Sequence, residues 1–537
     1  MTVQLWQKIQ AAKRAEQAAR IPSEWKLPGS ALPPIGTVDL RPYAASNGIL
    51  SDRESHITDQ YDATALAEEI AKGTFSAVEV VTAFCKRAAI AQQLCSCLTE
   101  IMFLDAIESA KELDSEYRRT GKVVGPLHGV PMTFKECFHV KGYDASDGYI
   151  SRTFEPSTYD SYLVEVVRSL GAVVIAKTNT PQTMLVAEAH NNVFGRTKNP
   201  VVSHLTSGGS SGGEGSVISF KGSALGIGTD VGGSIRIPAA ANGVYGYKPS
   251  FGILPMLKYA ASNWVGMNTG IPAVCGPLAR SMRDLTLLSR AVRDVRPWTA
   301  DPALIPNIFE LEPVDRRPVV GVIIQSGLTL HPPICRGIEE AVIKLNEAGF
   351  EVKDFTPPNF QEIRSVAAEL FTIDGLSYPK RELEKAGEPV VESVEKIGHW
   401  FKSPKTHEQV WELNAKKGAL QKQMLDCWQE AGIDIVLCPA GPYTAVPPNY
   451  WQTDTYTVPW NAMDYPAVIV PFTTADPDKD PKDENFVPLS PEDKTVQALY
   501  DPELMAGAPV ALQLVGPRLG DRQLLKDAEL LDKVLNG

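Results

Sequence analysis

Residues 207–238 read SGGSSGGEGSVISFKGSALGIGTDVGGSIRIP, and the reading of this stretch decides the rest. Glycine loses more conformational freedom on folding than any other residue, so a cluster of it needs a reason. Tight turns are one reason; close approach of backbone amides to a ligand is another. A flexible linker is the bland alternative. It fails because Val217, Ile218, Leu225, Ile227, Val231, Ile235 and Ile237 are interleaved with the glycines, and linkers carry little such buried-type material.

Gly-rich chemistries can be separated by spacing. A phosphate-binding loop needs a Lys-Ser/Thr pair after its last glycine, and no lysine follows these glycines at that distance. A dinucleotide fingerprint built on Gly226 and Gly228 would require glycine at position 231, which is Val231. The segment Gly208-Gly209-Ser210-Ser211-Gly212 does fit the Gly-x-Ser-x-Gly nucleophile elbow of α/β-hydrolases. On that reading the protein is an esterase with Ser210 as nucleophile and His331, His399 or His407 as base. It leaves Gly232-Gly233-Ser234 unexplained and shows no aspartate–histidine context.

Upstream, residues 125–136 read GPLHGVPMTFKE. Lys135 lies 75 positions before Ser210, and Ser210 lies 24 before Ser234. These two segments at this separation resemble the amidase signature family, with the spacing of its fatty acid amide hydrolase branch. Residues 507–516, GAPVALQLVG, resemble the family's closing strand. Residues 84–93, FCKRAAIAQQ, and 331–334, HPPI, resemble its fungal acetamidase-like branch. The similarity spans residues 55–537.

The resemblance implies an α/β amidase signature fold, a large mixed β-sheet sandwiched between layers of helices. It implies one domain over 56–537, with a signature core at about 125–250 and a substrate cap at about 358–465. It implies hydrolysis of the C–N bond of carboxylic acid amides, with neither cofactor nor metal. Ser234 would attack the carbonyl. Ser210, in a cis-peptide setting in relatives, would relay the proton to Lys135. Backbone amides of Val231, Gly232, Gly233 and Ser234 would form the oxyanion hole. Ser211 would support the relay, and Met184 would contact bound substrate or serve as a core methionine. Asp230 and Arg236 flank the nucleophile and are read as a structural ion pair. The chemistry is coherent. Serine needs a base within hydrogen-bond reach, and lysine serves as one only where burial lowers its pKa. A catalytically silent binding subunit is the alternative from another class, and the intact Lys135, Ser210 and Ser234 argue against it.

The remaining sequence sets the frame. Residues 1–55, a charged helical stretch followed by Pro/Gly-rich chain, read as an arm lying along the body. Ser76 and Glu79 predict a cap opening a helix over Val78–Leu94, and another helix is predicted from Asp105 to Arg119. Apolar runs predict strands at 172–176, 319–324, 434–438, 467–470 and 510–515, with helices at 334–348 and 524–534. Strands alternating with helices argue for α/β layers. Residues 358–430 read as helical. Tyr443, Tyr450, Trp451, Tyr456 and Trp460 are expected to line an apolar pocket for a small to medium neutral amide.

A net charge of −12 disfavours nucleic acid and anionic membrane partners. The expected partner is a small-molecule amide, with a homodimer left open. No run of apolar residues is long enough for a membrane span. Eight cysteines without zinc-ligand spacing read as reduced thiols, which favours the cytoplasm.

Overall fold

The computed structural model describes residues 4–306 and 312–537. Its strands are β1 (Leu98–Ile101), β2 (Pro131–Lys135), β3 (Val173–Thr178), β4 (His190–Asn191), β5 (Gly195–Arg196), β6 (Leu225–Asp230) and β7 (Tyr245–Lys248). They continue with β8 (Val274–Ala279), β9 (Val320–Val322), β10 (Val352–Asp354), β11 (Ile435–Pro439), β12 (Ala467–Thr474) and β13 (Pro509–Val515). All except the β4–β5 hairpin belong to one sheet of order β1-β3-β2-β6-β8-β7-β12-β13-β11-β9-β10. The sheet is mixed: β2 runs parallel to β3 and β6, whereas β6 is antiparallel to β8. Helices flank it, and the interior strands are buried along their length, as a sheet covered on both faces requires.

The helix Ala77–Cys95 begins where its cap residue predicts: the Glu79 N–H donates to Ser76 Oγ at 3.1 Å. Val80, Val81, Phe84 and Ala88 are its buried stripe. The predicted helix from Asp105 spans Phe103–Thr120, and those at 334–348 and 524–534 span Pro332–Glu347 and Asp521–Asn536.

Strand β6 explains much of the glycine. Leu225 and Ile227 are buried on one face. On the other, a Cβ at Gly226 would sit 2.1 Å from Glu214 Oε2, and one at Gly228 2.8 Å from Ser211 Oγ. Alternate glycines therefore let the helix Gly212–Ser219 lie directly against the strand.

The N-terminal helix Leu5–Ala19 is fastened to the body by Arg14 and Gln17, which donate to the Val193 and Leu98 carbonyls, and most deeply by Lys13. Lys13 is 2% exposed, and its Nζ lies 2.6 Å from Glu100 and 2.7 Å from Asp144. Residues 358–430 contain the helices Phe360–Phe371, Ser377–Ala386 and Glu392–Lys396 and most of His407–Ala431. One expectation is corrected here. Tyr443, Tyr456 and Trp460 are buried packing residues, with Trp460 set edge-on against Phe360 at 5.2 Å. Tyr450 is exposed beside Lys396. Of the five aromatics only Trp451 reaches the cavity beside Ser234 described below. Large rings fill gaps between layers as readily as they line a pocket, and composition does not separate the two.

Candidate active site

Strands β2 and β6 are parallel neighbours, with Phe134 opposite Ile227. Their C-terminal ends therefore deliver Lys135 and Thr229 side by side, at the edge of the sheet where α/β proteins commonly bind ligands. Lys135 is fully buried, and its Nζ donates to Ser210 Oγ at 2.6 Å and to Thr229 Oγ1 at 2.8 Å. The Gly209–Ser210 peptide is cis. A Cβ at Gly209 would lie 2.4 Å from the Glu188 backbone nitrogen, so only glycine fits there.

The carboxylates near Lys135 are occupied elsewhere. Glu136 accepts from Ser146 N at 2.8 Å, from Ser146 Oγ at 2.7 Å and from Thr99, and it faces Lys177 at 3.4 Å. Asp230 is gripped by Arg236. Glu214 accepts from Thr133 at 2.6 Å and Thr178 at 2.9 Å, and burial pushes its carboxyl up to about 8. Among the described residues no carboxylate pairs with Lys135. Burial consequently dominates and lowers its ammonium to about 8, while Cys137, Asp147, Asp230 and Glu214 oppose the shift.

Ser234 sits on the turn between β6 and the helix Arg236–Asn242. Ser211 N–H donates to the Ser234 carbonyl at 3.1 Å, which ties the two glycine segments together. Ser211 Oγ in turn contacts both the Thr229 carbonyl and its N–H at 3.3 Å. The Ser234 hydroxyl makes no hydrogen bond to Ser210 among the described residues. Such contacts often tighten only when substrate is bound.

The turn itself is rigid. Asp230 Oδ1 accepts from Gly233 N–H at 2.8 Å, and Oδ2 from Ile235 N–H at 3.1 Å. Gly233, expected as one of four oxyanion donors, thus already has a partner, whereas among the described residues no acceptor is found for the N–H groups of Val231, Gly232 and Ser234. Gly233 adopts φ +126°, and a Cβ there would meet Thr457 Oγ1 at 2.5 Å. Arg236 holds Asp230 from Nε and Nη2, each at 3.0 Å, with both side chains buried. It also reaches the Thr457 carbonyl at 3.0 Å, Gln513 at 2.8 Å and Asn461 at 2.6 Å. Burial alone would raise the Asp230 carboxyl; the guanidinium outweighs it and holds the group well below the usual carboxylate range.

A cavity of about 260 Å³ opens onto Ser234. Met184, Val231, Gly232, Phe371 and Trp451 line it near the turn. Met184 itself has φ +61°. Among the described residues no histidine is hydrogen-bonded to Ser210. His331 is buried and bonds the Val496 carbonyl at 2.9 Å, His407 stacks on Trp411, and His399 stands in the cavity wall. The nucleophile-elbow triad therefore has no base.

The amidase family profile matches residues 79–525. The chain belongs to the amidase family. The enzyme is 37% identical to the acetamidase of Emericella nidulans, over 99% of this chain and 98% of that one. It is 36% identical to the acetamidase of Aspergillus oryzae, over 99% of each. Among solved structures, fatty acid amide hydrolase superposes with a TM-score of 0.93 at 31% identity, covering 99% of this chain and 95% of that one. The protein is an amide-hydrolysing enzyme, so the silent-subunit reading is set aside. Among the described residues no helix is long and apolar enough to cross a membrane.

Sequence reasoning missed Thr229 and Glu214. Thr229 could have been found only from the register of β6 against β2. Glu214 carries no signal beyond an acidic residue amid glycines.

Proposed function

We propose that the amidase cleaves small to medium neutral amides through an acyl-enzyme on Ser234, with Ser210 as relay and Lys135 as base. The observation that carries this reading is the 2.6 Å contact from a fully buried, carboxylate-free Lys135 to Ser210 Oγ. With its pKa near 8, a useful fraction of Lys135 is neutral at physiological pH. Neutral Lys135 takes the Ser210 proton as Ser210 takes that of Ser234. Ser234 Oγ bonds to the carbonyl carbon, and the carbonyl electron pair moves to oxygen. The N–H groups of Val231, Gly232 and Ser234 stabilise that oxyanion, an effect worth about 10²–10³ in rate per well-aimed donor. The relay then reverses: the proton passes to the leaving nitrogen, the C–N bond breaks, and the amine or ammonia departs. Water repeats the sequence on the ester and releases the carboxylate.

Met184 contributes to substrate contact through its place in the cavity wall, and Ser211, Asp230 and Arg236 position the turn. Two of the relatives are named acetamidases, acetamide being a small neutral amide, and the cavity of about 260 Å³ agrees with that class. The eight free thiols suit a reducing, cytoplasmic setting. The test is ammonia or amine release by the purified protein, without partner or ATP, from acetamide, hexanamide, benzamide, an aryl carbamate and an oleoyl amide. Turnover of the small neutral amides is expected. Preference for the oleoyl amide, or turnover of none, overturns the reading.

A further inference from the structure

The cavity has two chemically different ends. The helix Phe360–Phe371 runs along it. At its C-terminal end Phe371 overhangs the nucleophile turn, 3.9 Å from where a Gly232 Cβ would lie. Gln361, Arg364, Ser365 and Ala368 also face the cavity, at the spacing of one helix face. The helix acts as a ruler. At 1.5 Å per residue, Ser365 lies ~9 Å and Gln361 ~15 Å along the axis from Phe371. Asp454 lines the cavity beside Arg364, and His399 lines it from the turn whose neighbour Lys402 pairs with Glu369 of the helix.

The charges around Arg364 are spent on one another. Arg364 Nε donates to Asp454 Oδ1 at 2.6 Å, and Nη1 donates to the two Glu492 oxygens at 2.6 and 2.8 Å. Among the described residues lining the cavity no unpaired lysine or arginine remains to select a carboxylate. What remains is neutral and unpartnered. The side chains of Gln361, Ser365 and His399 have no hydrogen-bond partner among the described residues. Burial holds His399 below the ordinary histidine value, so its ring presents one donor and one acceptor. A cavity needs only a few polar groups to orient its ligand, and these three line one cavity from two separate elements, the helix Phe360–Phe371 and the turn His399–Phe401.

We propose that Gln361, Ser365 and His399 form a specificity subsite for a neutral hydrogen-bonding group, a hydroxyl or carboxamide, carried on the acyl chain ~9–15 Å from the scissile carbonyl. The subsite rests on Ser234 as the point of attack. It makes the preferred substrate a polar-ended amide and not a plain alkanamide.

The experiment compares kcat/KM for octanamide, its ω-hydroxy analogue and its ω-carboxylate analogue. The ω-hydroxy amide is expected to exceed both others by about tenfold, the effect of one good hydrogen bond. That ratio should collapse toward one in a Gln361→Ala/Ser365→Ala double variant and, independently, in His399→Phe. Because it is measured within each variant, partial misfolding does not mimic the result. Equal kcat/KM for octanamide and the ω-hydroxy amide, or preference for the carboxylate, overturns the subsite. The same three compounds are also titrated calorimetrically against Ser234→Ala. Tighter binding of the ω-hydroxy amide by about tenfold upholds the subsite even where no amide is turned over, an outcome that would instead refute the catalytic reading. Equal binding rejects the subsite.

Discussion

Lys135 Nζ lies 2.6 Å from Ser210 Oγ, although the two residues are 75 positions apart in the chain. Only the neutral amine can accept the relay proton, and burial places its pKa at about 8. Activity should therefore rise with pH. The expected kcat/KM profile climbs through an inflection near 8 and then levels. A profile flat from pH 6 to 9 would remove the lysine as base.

The same shift bears on stability. In the unfolded chain the lysine titrates near 10.5, and in the folded protein at about 8. Between these values the unfolded state holds a proton that the native state has released, so this residue's contribution to stability increases as pH rises from 8 to 10.5. Below pH 8 the charged form carries its full burial penalty, about 3 kcal/mol at 1.36 kcal/mol per unit. Lys135→Met should lose activity yet raise the unfolding free energy at pH 7 by about 1–3 kcal/mol, with the gain shrinking by pH 10. Urea unfolding at the two pH values measures it; a gain that grows with pH has the wrong sign.

Thr229 accepts from Lys135 at 2.8 Å and so steadies the charged amine. Thr229→Val removes that acceptor with little change of shape. The pH–rate inflection should move below 8, and the plateau should fall by roughly tenfold as Lys135 loses its orientation. A lower plateau with an unmoved inflection would reduce Thr229 to packing.

Arg236 anchors the turn that carries Ser234 through its buried pair with Asp230. Arg236→Met leaves a buried carboxylate uncompensated, a change that typically costs about 3–5 kcal/mol. Arg236→Lys should recover little, because one ammonium cannot reproduce the two 3.0 Å contacts together with those to Gln513 and Asn461. Denaturation midpoints within error of the parent would contradict this.

The strands β3, β9, β11, β12 and β13 and the long helices were legible because their apolar runs and caps are local signals: Ser76 opens its helix, and the 510–515 run is β13. The strands β6, β7 and β8 were not read as strands. In β6, Gly226 and Gly228 stand where apolar side chains would advertise a strand, because Glu214 and Ser211 already fill that space. The site's serines and lysine were readable from spacing and resemblance. Thr229 and the fixation of Gly233 N–H by Asp230 were not, since each depends on a contact set by register or turn geometry. Lys13 shows the same limit: a lysine in a charged arm gives no sign that two buried carboxylates await it.

The central claim, that Ser234 and not Ser210 is the nucleophile, is tested most directly by labelling with a fluorophosphonate, followed by peptide mapping. The reagent bonds covalently to the activated serine. The account predicts a single adduct on the peptide bearing Ser234, lost in Ser234→Ala, and slowed but not relocated in Lys135→Ala. An adduct on Ser210 that persists in Ser234→Ala would contradict it.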